Sequence, residues 1–247
     1  MGTDQTEGAK LVLSDFERDA IGEVMNISMG SAATAVSQML DKQVEITTPV
    51  VDIQSLQDIR YDNYEPALLV KIIYTTGLTG SNVMVFRQHD MQMILNTLMG
   101  IPDPPSDDFV FDDLSISAAC EVMNQMMGSS ATALAEFLGK TIDISTPTAT
   151  VMEDENTFKN AVDLPDGTEV VTITFRLSIK DMLDSEFISV LTTDLVREIL
   201  SRFINDGEVL QPEPEPAPAP AAPAPAPAPA AAAPAAAPAA APPPPPA

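Results

Sequence analysis

The residues best suited to chemistry are a glutamate and an asparagine that the chain carries twice at the same spacing. Glu23 and Asn26 stand three residues apart, and so do Glu121 and Asn124. Glutamate is a good helix former, but asparagine is a poor one in a helix interior. A solvated polar face would account for the glutamates alone. The recurrence of asparagine at the same place favours a functional role for both pairs.

A repeat of 31 residues surrounds the two pairs, with its copies at residues 19–49 and 117–147. Without any gap, 16 of the 31 aligned positions are identical. On a helix, residues i, i+4, i+7 and i+11 lie on one stripe. The stripes that this rule selects are Asp19, Glu23, Asn26 and Gly30 in the first copy and Ser117, Glu121, Asn124 and Gly128 in the second. Apolar residues flank both stripes, which predicts a packed helix that presents one narrow polar strip.

A carboxylate and an amide make an unusual active site unless a partner supplies the remaining groups. Hydrolysis of an acyl phosphate passes through a loose transition state, so positioning the attacking water matters more than abstracting its proton. An amide both donates and accepts hydrogen bonds and is therefore suited to orienting a water molecule. A nearby carboxylate is suited to binding a cation, such as a lysine on the partner. The paired side chains thus favour hydrolysis completed by a second protein.

Other reaction chemistries find little support in the sequence. The single histidine, His89, lies beside Asp90 near a predicted helix start, as a capping or surface residue would. The single cysteine, Cys120, has no histidine near its repeat position, and we expect a buried, inert thiol. No group of histidines and cysteines has the spacing of a metal site. These observations argue against catalytic triads, thiol catalysis and zinc-dependent hydrolysis.

Composition narrows the class of protein further. The net charge of −24 argues against nucleic-acid binding, which requires a basic surface. Neither a cationic cluster nor a glycine-rich phosphate loop is visible, which argues against free nucleotides or sugar phosphates as substrates. No apolar run approaches the roughly 20 residues of a membrane-spanning helix. The N-terminus lacks the pattern of a signal peptide, so we expect a cytoplasmic protein without membrane insertion.

The order of predicted elements also repeats. A capping box at Ser14 predicts the start of the first helix, and the pattern as a whole predicts helices at 14–40, 88–99, 113–138 and 193–204 and strands at 43–53, 66–75, 79–86, 141–152, 168–180 and 185–192. Pro49 predicts an edge strand or a bulge. Each half is then a helix, three strands and a helix. Three strands cannot close a core alone, so the two pseudo-symmetric halves should form one α/β domain with a six-stranded sheet.

The expected domain limits follow the composition. We expect a flexible N-terminus at 1–10 and the folded domain at 11–207, with repeats at about 14–100 and 112–204. Of the 23 prolines, 16 lie after Gln211, and this Pro/Ala-rich tail predicts a disordered linker at 208–247. A spacer usually joins two modules. Either the chain is a fragment or the module that the spacer serves is missing.

The repeated pattern resembles a known signature. Asp or Ser, three residues, Glu, two residues, Asn, 22 residues and Pro fit both copies of the repeat. This pattern is similar to the active-site signature of the CheC, CheX and FliY phosphatases of bacterial chemotaxis, and the resemblance covers residues 11–204. It implies the same two-half α/β fold and an enzyme that dephosphorylates the phospho-aspartate of the response regulator CheY.

The resemblance also implies a role for each residue of the pattern. In this family the asparagine orients water at the phosphoryl group, and the glutamate pairs with the active-site lysine of the regulator. Carried over to this sequence, the catalytic residues are Glu23, Asn26, Glu121 and Asn124, and the supporting residues are Asp19, Pro49, Ser117 and Pro147. No cofactor of the chain itself is implied, because Mg²⁺ belongs to the regulator.

Within the family, the Pro/Ala-rich tail favours the flagellar switch branch, FliY, whose catalytic domain is tethered to a FliN-like C-terminal domain that this sequence does not contain. The expected partners are phosphorylated CheY and the switch proteins FliM, FliN and FliG, at the cytoplasmic face of the flagellar basal body. Two alternatives stay open. One is a non-catalytic switch scaffold that resembles the FliM middle domain, and the other is a free-standing CheC that pairs with the deamidase CheD.

Overall fold

The structure is a computed structural model that describes residues 13–60, 64–106, 108–152, 154–165 and 167–204. The flexible N-terminus and the Pro/Ala-rich linker predicted from the sequence lie outside the described residues, as does the end of the predicted domain. Both halves of the repeat fall within them.

Five helices and seven strands make up the described fold. The helices are α1 (Asp15–Leu40), α2 (Gln88–Met99), α3 (Asp113–Leu138), α4 (Glu155–Val162) and α5 (Thr193–Ile204). The strands are β1 (Val44–Ser55), β2 (Ala67–Thr76), β3 (Gly80–Arg87), β4 (Asp143–Ile144), β5 (Thr148–Met152), β6 (Glu169–Ile179) and β7 (Leu183–Thr192). The predicted helices and strands are confirmed within a few residues. The structure adds helix α4, where the sequence indicated only a connection, and it divides the predicted strand 141–152 into β4 and β5.

The strands form one antiparallel sheet in the order β1-β6-β7-β3-β2-β4, with β5 also paired to β2. The sheet is therefore six strand positions wide, because β4 and β5 share the outer position beside β2. If each strand of the first half is replaced by its equivalent in the second half, the strand order is reversed but otherwise unchanged. The predicted pseudo-symmetry is thus confirmed. The halves are also interlocked. The first strand of each half pairs with the second strand of the other half, in β1–β6 and β5–β2. The pairing of β3 with β7 is a third connection between the halves.

The two long helices begin at well-defined caps. Ser14 and Glu17 form the predicted capping box at the start of α1, with the backbone N–H of Glu17 donating to the Ser14 hydroxyl at 3.2 Å. At the start of α3, the carboxylate of Asp112 accepts from the backbone N–H of Ser115 at 2.8 Å. These caps fix where each helix starts and hence where each polar stripe lies on its helix.

Helices α1 and α3 contact each other at equivalent residues of the repeat. The hydroxyl oxygens of Ser31 and Ser129 lie 3.0 Å apart, and the Ser129 hydroxyl also donates to the backbone oxygen of Ser31 at 3.0 Å. A contact between two equivalent residues places the pseudo-two-fold axis at this point. The two polar stripes are therefore carried by neighbouring helices on the same side of the sheet.

Both faces of the sheet are covered. One face packs against α1, α2, α3 and α5 around a core that includes the fully buried methionines Met25, Met29 and Met127. The opposite face carries a smaller apolar cluster built around Phe158 of α4 and Leu56. Because one side of α1 and α3 is held in the larger core, their remaining side is turned outward.

Candidate active site

The first polar stripe lies on the outer side of α1. Asp19 and Glu23 are exposed and Asn26 is half-buried, whereas Val24 and Met25 between them are buried. This alternation follows from the helical repeat, since residues 19, 23 and 26 point in one direction and their apolar neighbours point into the core. The predicted strip on a packed helix is what the structure shows for the first copy.

The second stripe has the same layout on α3. Ser117, Glu121 and Asn124 are exposed, and Val122 and Met123 between them are buried. Neither asparagine is enclosed in the core. Both amides are therefore within reach of a protein that docks on this side of the molecule.

A surface cleft lies at the first stripe. It has a volume of about 360 Å³ and is lined by Arg18, Asp19, Gly22, Glu23, Asn26, Pro49 and Val51. The structure thus brings together all four residues predicted for the first site from α1 and β1. It adds three that the sequence argument did not select, Arg18, Gly22 and Val51.

Proline positions the strand side of each site. Pro49 lies in edge strand β1 at a register irregularity between Thr47 and Val50, which confirms the predicted edge or bulge. A proline has no N–H for the ladder, so the strand departs from regular pairing there. The equivalent Pro147 falls between β4 and β5 and is buried. The missing N–H of proline therefore coincides with an interruption of regular strand pairing in both copies of the repeat.

The side chains of the two pairs differ in their hydrogen bonding. Within the described part of the chain, the side chains of Glu23, Asn26 and Asn124 make no hydrogen bond, so both amides keep their donors and acceptors available. The carboxylate of Glu121 accepts from the side-chain amide of Gln125 at 2.9 Å. An unpartnered amide next to a carboxylate can orient a water molecule while the carboxylate binds a cation.

Arg18 is the functional candidate that the sequence argument missed. Its Nη1 donates to the backbone oxygen of Val51 at 3.0 Å and lies 3.8 Å from Oδ1 of Asp52. These contacts hold the guanidinium at the cleft. Comparing the repeat copies would have drawn attention to this position, because Ile116 stands there in the second copy.

Two residues for which the sequence predicted no catalytic role are His89 and Cys120, and the structure corrects the prediction for one of them. His89 is exposed at the start of α2, with Nδ1 at 3.6 Å from Oδ1 of Asp90, as expected for a surface residue near a helix start. Cys120 is free but only half-buried, so the expectation of a buried thiol is wrong. The reason is its place beside the polar stripe, at the position equivalent to Gly22 of the first cleft. Among the described residues, no cluster of three or more His, Cys, Asp or Glu side chains is arranged to hold a metal ion.

Comparison with known proteins covers both copies of the repeat. The CheC-like family model matches residues 16–53 and 114–151, which contain both stripes and both prolines. Two relatives from Bacillus subtilis (strain 168) are the flagellar motor switch phosphatase FliY, 36% identical over 81% of this chain, and the CheY-P phosphatase CheC, 27% identical over 51% of this chain. The chain spans 54% of the length of that FliY and 61% of that CheC.

Solved structures agree at the level of the fold. The X-ray structure of Thermotoga maritima FliY is 36% identical, matches 79% of this chain and 99% of that chain, and superimposes with a TM-score of 0.69. FliM from the Helicobacter pylori FliM–SpeE complex superimposes with a TM-score of 0.65 at 10% identity, over 81% of this chain and all of that chain, and so shares the fold. No helix in the described ranges is both long and apolar enough to cross a membrane.

Proposed function

Because the chain belongs to the CheC-like family, we propose that it is a phosphatase that hydrolyses the phospho-aspartate of the response regulator CheY. The observation that carries this proposal is the pair of unpartnered amides, Asn26 and Asn124, each presented on the outer side of a helix next to a carboxylate. The names of the two relatives, a flagellar motor switch phosphatase and a CheY-P phosphatase, support the reaction.

The amides carry the hydrolytic step. Asn26 and Asn124 accept a hydrogen bond from the attacking water and donate one to a phosphoryl oxygen or to the water itself, which places the water in line with the phosphorus. Little proton abstraction is needed in a loose transition state, so this orientation is the main contribution of the side chain. The water then forms the new P–O bond while the bond to the aspartyl carboxylate breaks.

The carboxylates hold the partner in place. Glu23 and Glu121 accept a charge-assisted hydrogen bond from a lysine of the regulator, which fixes the distance between the phosphoryl group and the amide. Mg²⁺ would be held by the regulator and not by this chain, and it would supply charge neutralisation at the phosphoryl oxygens. This chain therefore supplies two side chains per site, and the regulator supplies the remainder.

The supporting residues shape the two sites. Pro49 lines the first cleft, and Pro147, its equivalent in the repeat, lies between β4 and β5. The hydroxyl of Ser117 donates to the backbone oxygen of Asp113 at 2.7 Å, so it is occupied within its own helix. Asp19 is exposed and adds negative charge beside Glu23. We assign these residues to positioning and electrostatics.

The test is a turnover assay with phosphorylated CheY. The full chain should accelerate loss of phosphate, and the single substitutions Asn26→Ala and Asn124→Ala should each remove part of that acceleration. Asn160→Ala is the matched control, because Asn160 is an exposed amide on α4 outside both stripes. No acceleration by the unaltered chain would reject the proposed activity, and equal effects of all three substitutions would reject the site.

A role at the flagellar switch is the second part of the proposal. The relative named as a flagellar motor switch phosphatase supports it, and the expected partners are FliM, FliN and FliG at the cytoplasmic face of the basal body. A scaffold without catalysis would share the fold of FliM but would not need two unpartnered amides. Co-purification of switch proteins without turnover of regulator phosphate would favour the scaffold.

A further inference from the structure

The first site contains a cation at a position where the second copy of the repeat has an apolar residue, Ile116. Arg18 lines the cleft together with Glu23 and Asn26, and its side chain is 38% exposed. The guanidinium is anchored through one N–H, which donates to the backbone oxygen of Val51. A guanidinium has five N–H donors, so the others stay available to a visiting group.

No contact within the described part of the chain neutralises the charge of the Arg18 guanidinium at close range. The ion pair with Asp52 is loose, at 3.8 Å, and the Asp52 side chain is 65% exposed. Exposed pairs of this kind contribute little to stability. Within the described ranges the Arg18 side chain has no other partner than Val51 and Asp52. One N–H of the guanidinium is thus held at the cleft that Arg18 lines, and the guanidinium has further donors without a protein partner in the described ranges.

The surroundings make a cation here consequential. Asp19, Glu23 and Asp52 give the first site a negative charge, and the chain as a whole carries −24. A phosphorylated partner brings further negative charge to the same place, and like charges brought together at an interface weaken association. The guanidinium reduces this repulsion and can make a charge-assisted hydrogen bond to an anionic oxygen.

We propose that Arg18 is a specificity-determining residue of the first site that binds an anionic oxygen of the phosphorylated regulator. This inference rests on the proposed phosphatase function and concerns how the partner is held at the first site. The second site has no equivalent, because Ile116 occupies this position and packs against the core. The first site therefore binds the phosphorylated regulator more tightly than the second.

The experiment isolates the first site and removes its cation. In the full chain carrying Asn124→Ala, the further substitution Arg18→Ile should raise KM for phosphorylated CheY about fivefold and leave kcat unchanged. Arg18→Lys should restore most of the affinity, since it keeps the charge. The dependence of KM on salt should weaken in Arg18→Ile and persist in Arg18→Lys. If Arg18 only supported folding, Arg18→Ile would lower the melting temperature but would not raise KM at an unchanged kcat.

The control is Arg60→Ile, because Arg60 is exposed and follows Ile59 of the cluster on the opposite face of the sheet. It should leave KM unchanged. The reciprocal change, Ile116→Arg in a chain carrying Asn26→Ala, should lower KM at the second site. Binding measured with phosphorylated and unphosphorylated CheY identifies the oxygen, since a phosphoryl contact affects only the phosphorylated form and a carboxylate contact affects both.

An unchanged KM in Arg18→Ile, with turnover otherwise intact, would overturn the inference and leave the proposed function standing. Failure of the Asn124→Ala chain and the unaltered chain alike to accelerate phosphate loss would reject the function and the inference together.

Discussion

The two candidate sites share a helix and a Glu and Asn pair but differ in the residues around the pair. Arg18 of the first copy is replaced by Ile116, and Ile27 is replaced by Gln125. Under the proposed function, both positions concern how the partner is held, because neither is part of the Glu and Asn pair. The two copies keep this pair while residues around it differ, and the proposal therefore assigns chemistry and binding to separate residues.

The glutamates show this divergence at atomic level. Glu121 accepts a hydrogen bond from Gln125, one turn further along α3, at 2.9 Å. Glu23 makes no such bond, because the equivalent position is Ile27, an apolar residue that is 42% exposed. Under the proposed function, a lysine of the partner would compete with Gln125 for the Glu121 carboxylate at the second site and would meet a carboxylate without such a bond at the first.

The floor of each site differs as well. Gly22 leaves the first cleft open, and a Cβ at this position would lie 3.6 Å from Val51 Cγ2 and 3.8 Å from Pro49 Cγ. Cys120 stands at the equivalent place in the second copy and adds a side chain there. The open floor is therefore a property of the first site that follows from one residue.

The largest expected effect appears when each site is measured alone. The chain with Asn124→Ala retains the first site, and the chain with Asn26→Ala retains the second. We expect a KM about tenfold higher for the second site, because the missing cation and the occupied glutamate contribute independently. Steady-state kinetics with phosphorylated CheY measures both values. Equal KM values would show that the differing neighbours have no effect on docking.

A smaller effect is expected from exchanging the residues beside the glutamates. In the chain that keeps only the second site, Gln125→Ile frees Glu121 and should lower KM about twofold, in line with the strength of a pair four residues apart on a helix. Ile27→Gln in the chain that keeps only the first site should raise KM by a similar factor. A change in kcat without a change in KM would instead assign this position to the chemical step.

The smallest effect concerns how the two helices are capped. The hydrogen bonds from Ser115 hold the pKa of the Asp112 carboxyl below its usual range. A carboxyl whose pKa is lowered by folding stabilises the protein above its unfolded-state pKa of about 3.9, and this contribution is lost as the pH falls through the lower folded-state value. Asp112→Ala should therefore lower the melting temperature at pH 7 and have little effect at acidic pH.

The matched comparison is Asp112→Asn, because an amide oxygen can still accept from the Ser115 N–H as an N-cap but does not titrate. Thermal unfolding followed by circular dichroism at both pH values measures the difference. A penalty for Asp112→Ala that stays constant with pH would show that its carboxylate is not the stabilising group.

Much of the fold was predictable because the sequence contains the same pattern of elements in both halves. The repeat aligned α1 with α3 and located both asparagines, and helical periodicity alone placed them on the outer side. The interlocking of the first strands was not predictable, because pairing between residues far apart in the chain leaves no local pattern. Helix α4 was also missed, since its eight residues are too short for a clear apolar period.

The candidate site was predictable in its catalytic pairs but not in its surroundings. Arg18 enters the cleft through a contact with the backbone of β1, so nothing in its own sequence neighbourhood identifies it. The half-burial of Cys120, beside the polar stripe of α3, was likewise not predicted from the sequence. Residues that join a site through tertiary contacts can be identified only once the structure is known.

The central claim is that two amides complete a hydrolytic site that the docked regulator only half provides. The most direct test uses the full chain with Asn26→Ala and Asn124→Ala together and measures binding and turnover of phosphorylated CheY on the same sample. The account predicts a folded protein that still binds the regulator while its phosphate decays at the spontaneous rate. Turnover at the unaltered rate by this double variant would contradict the account.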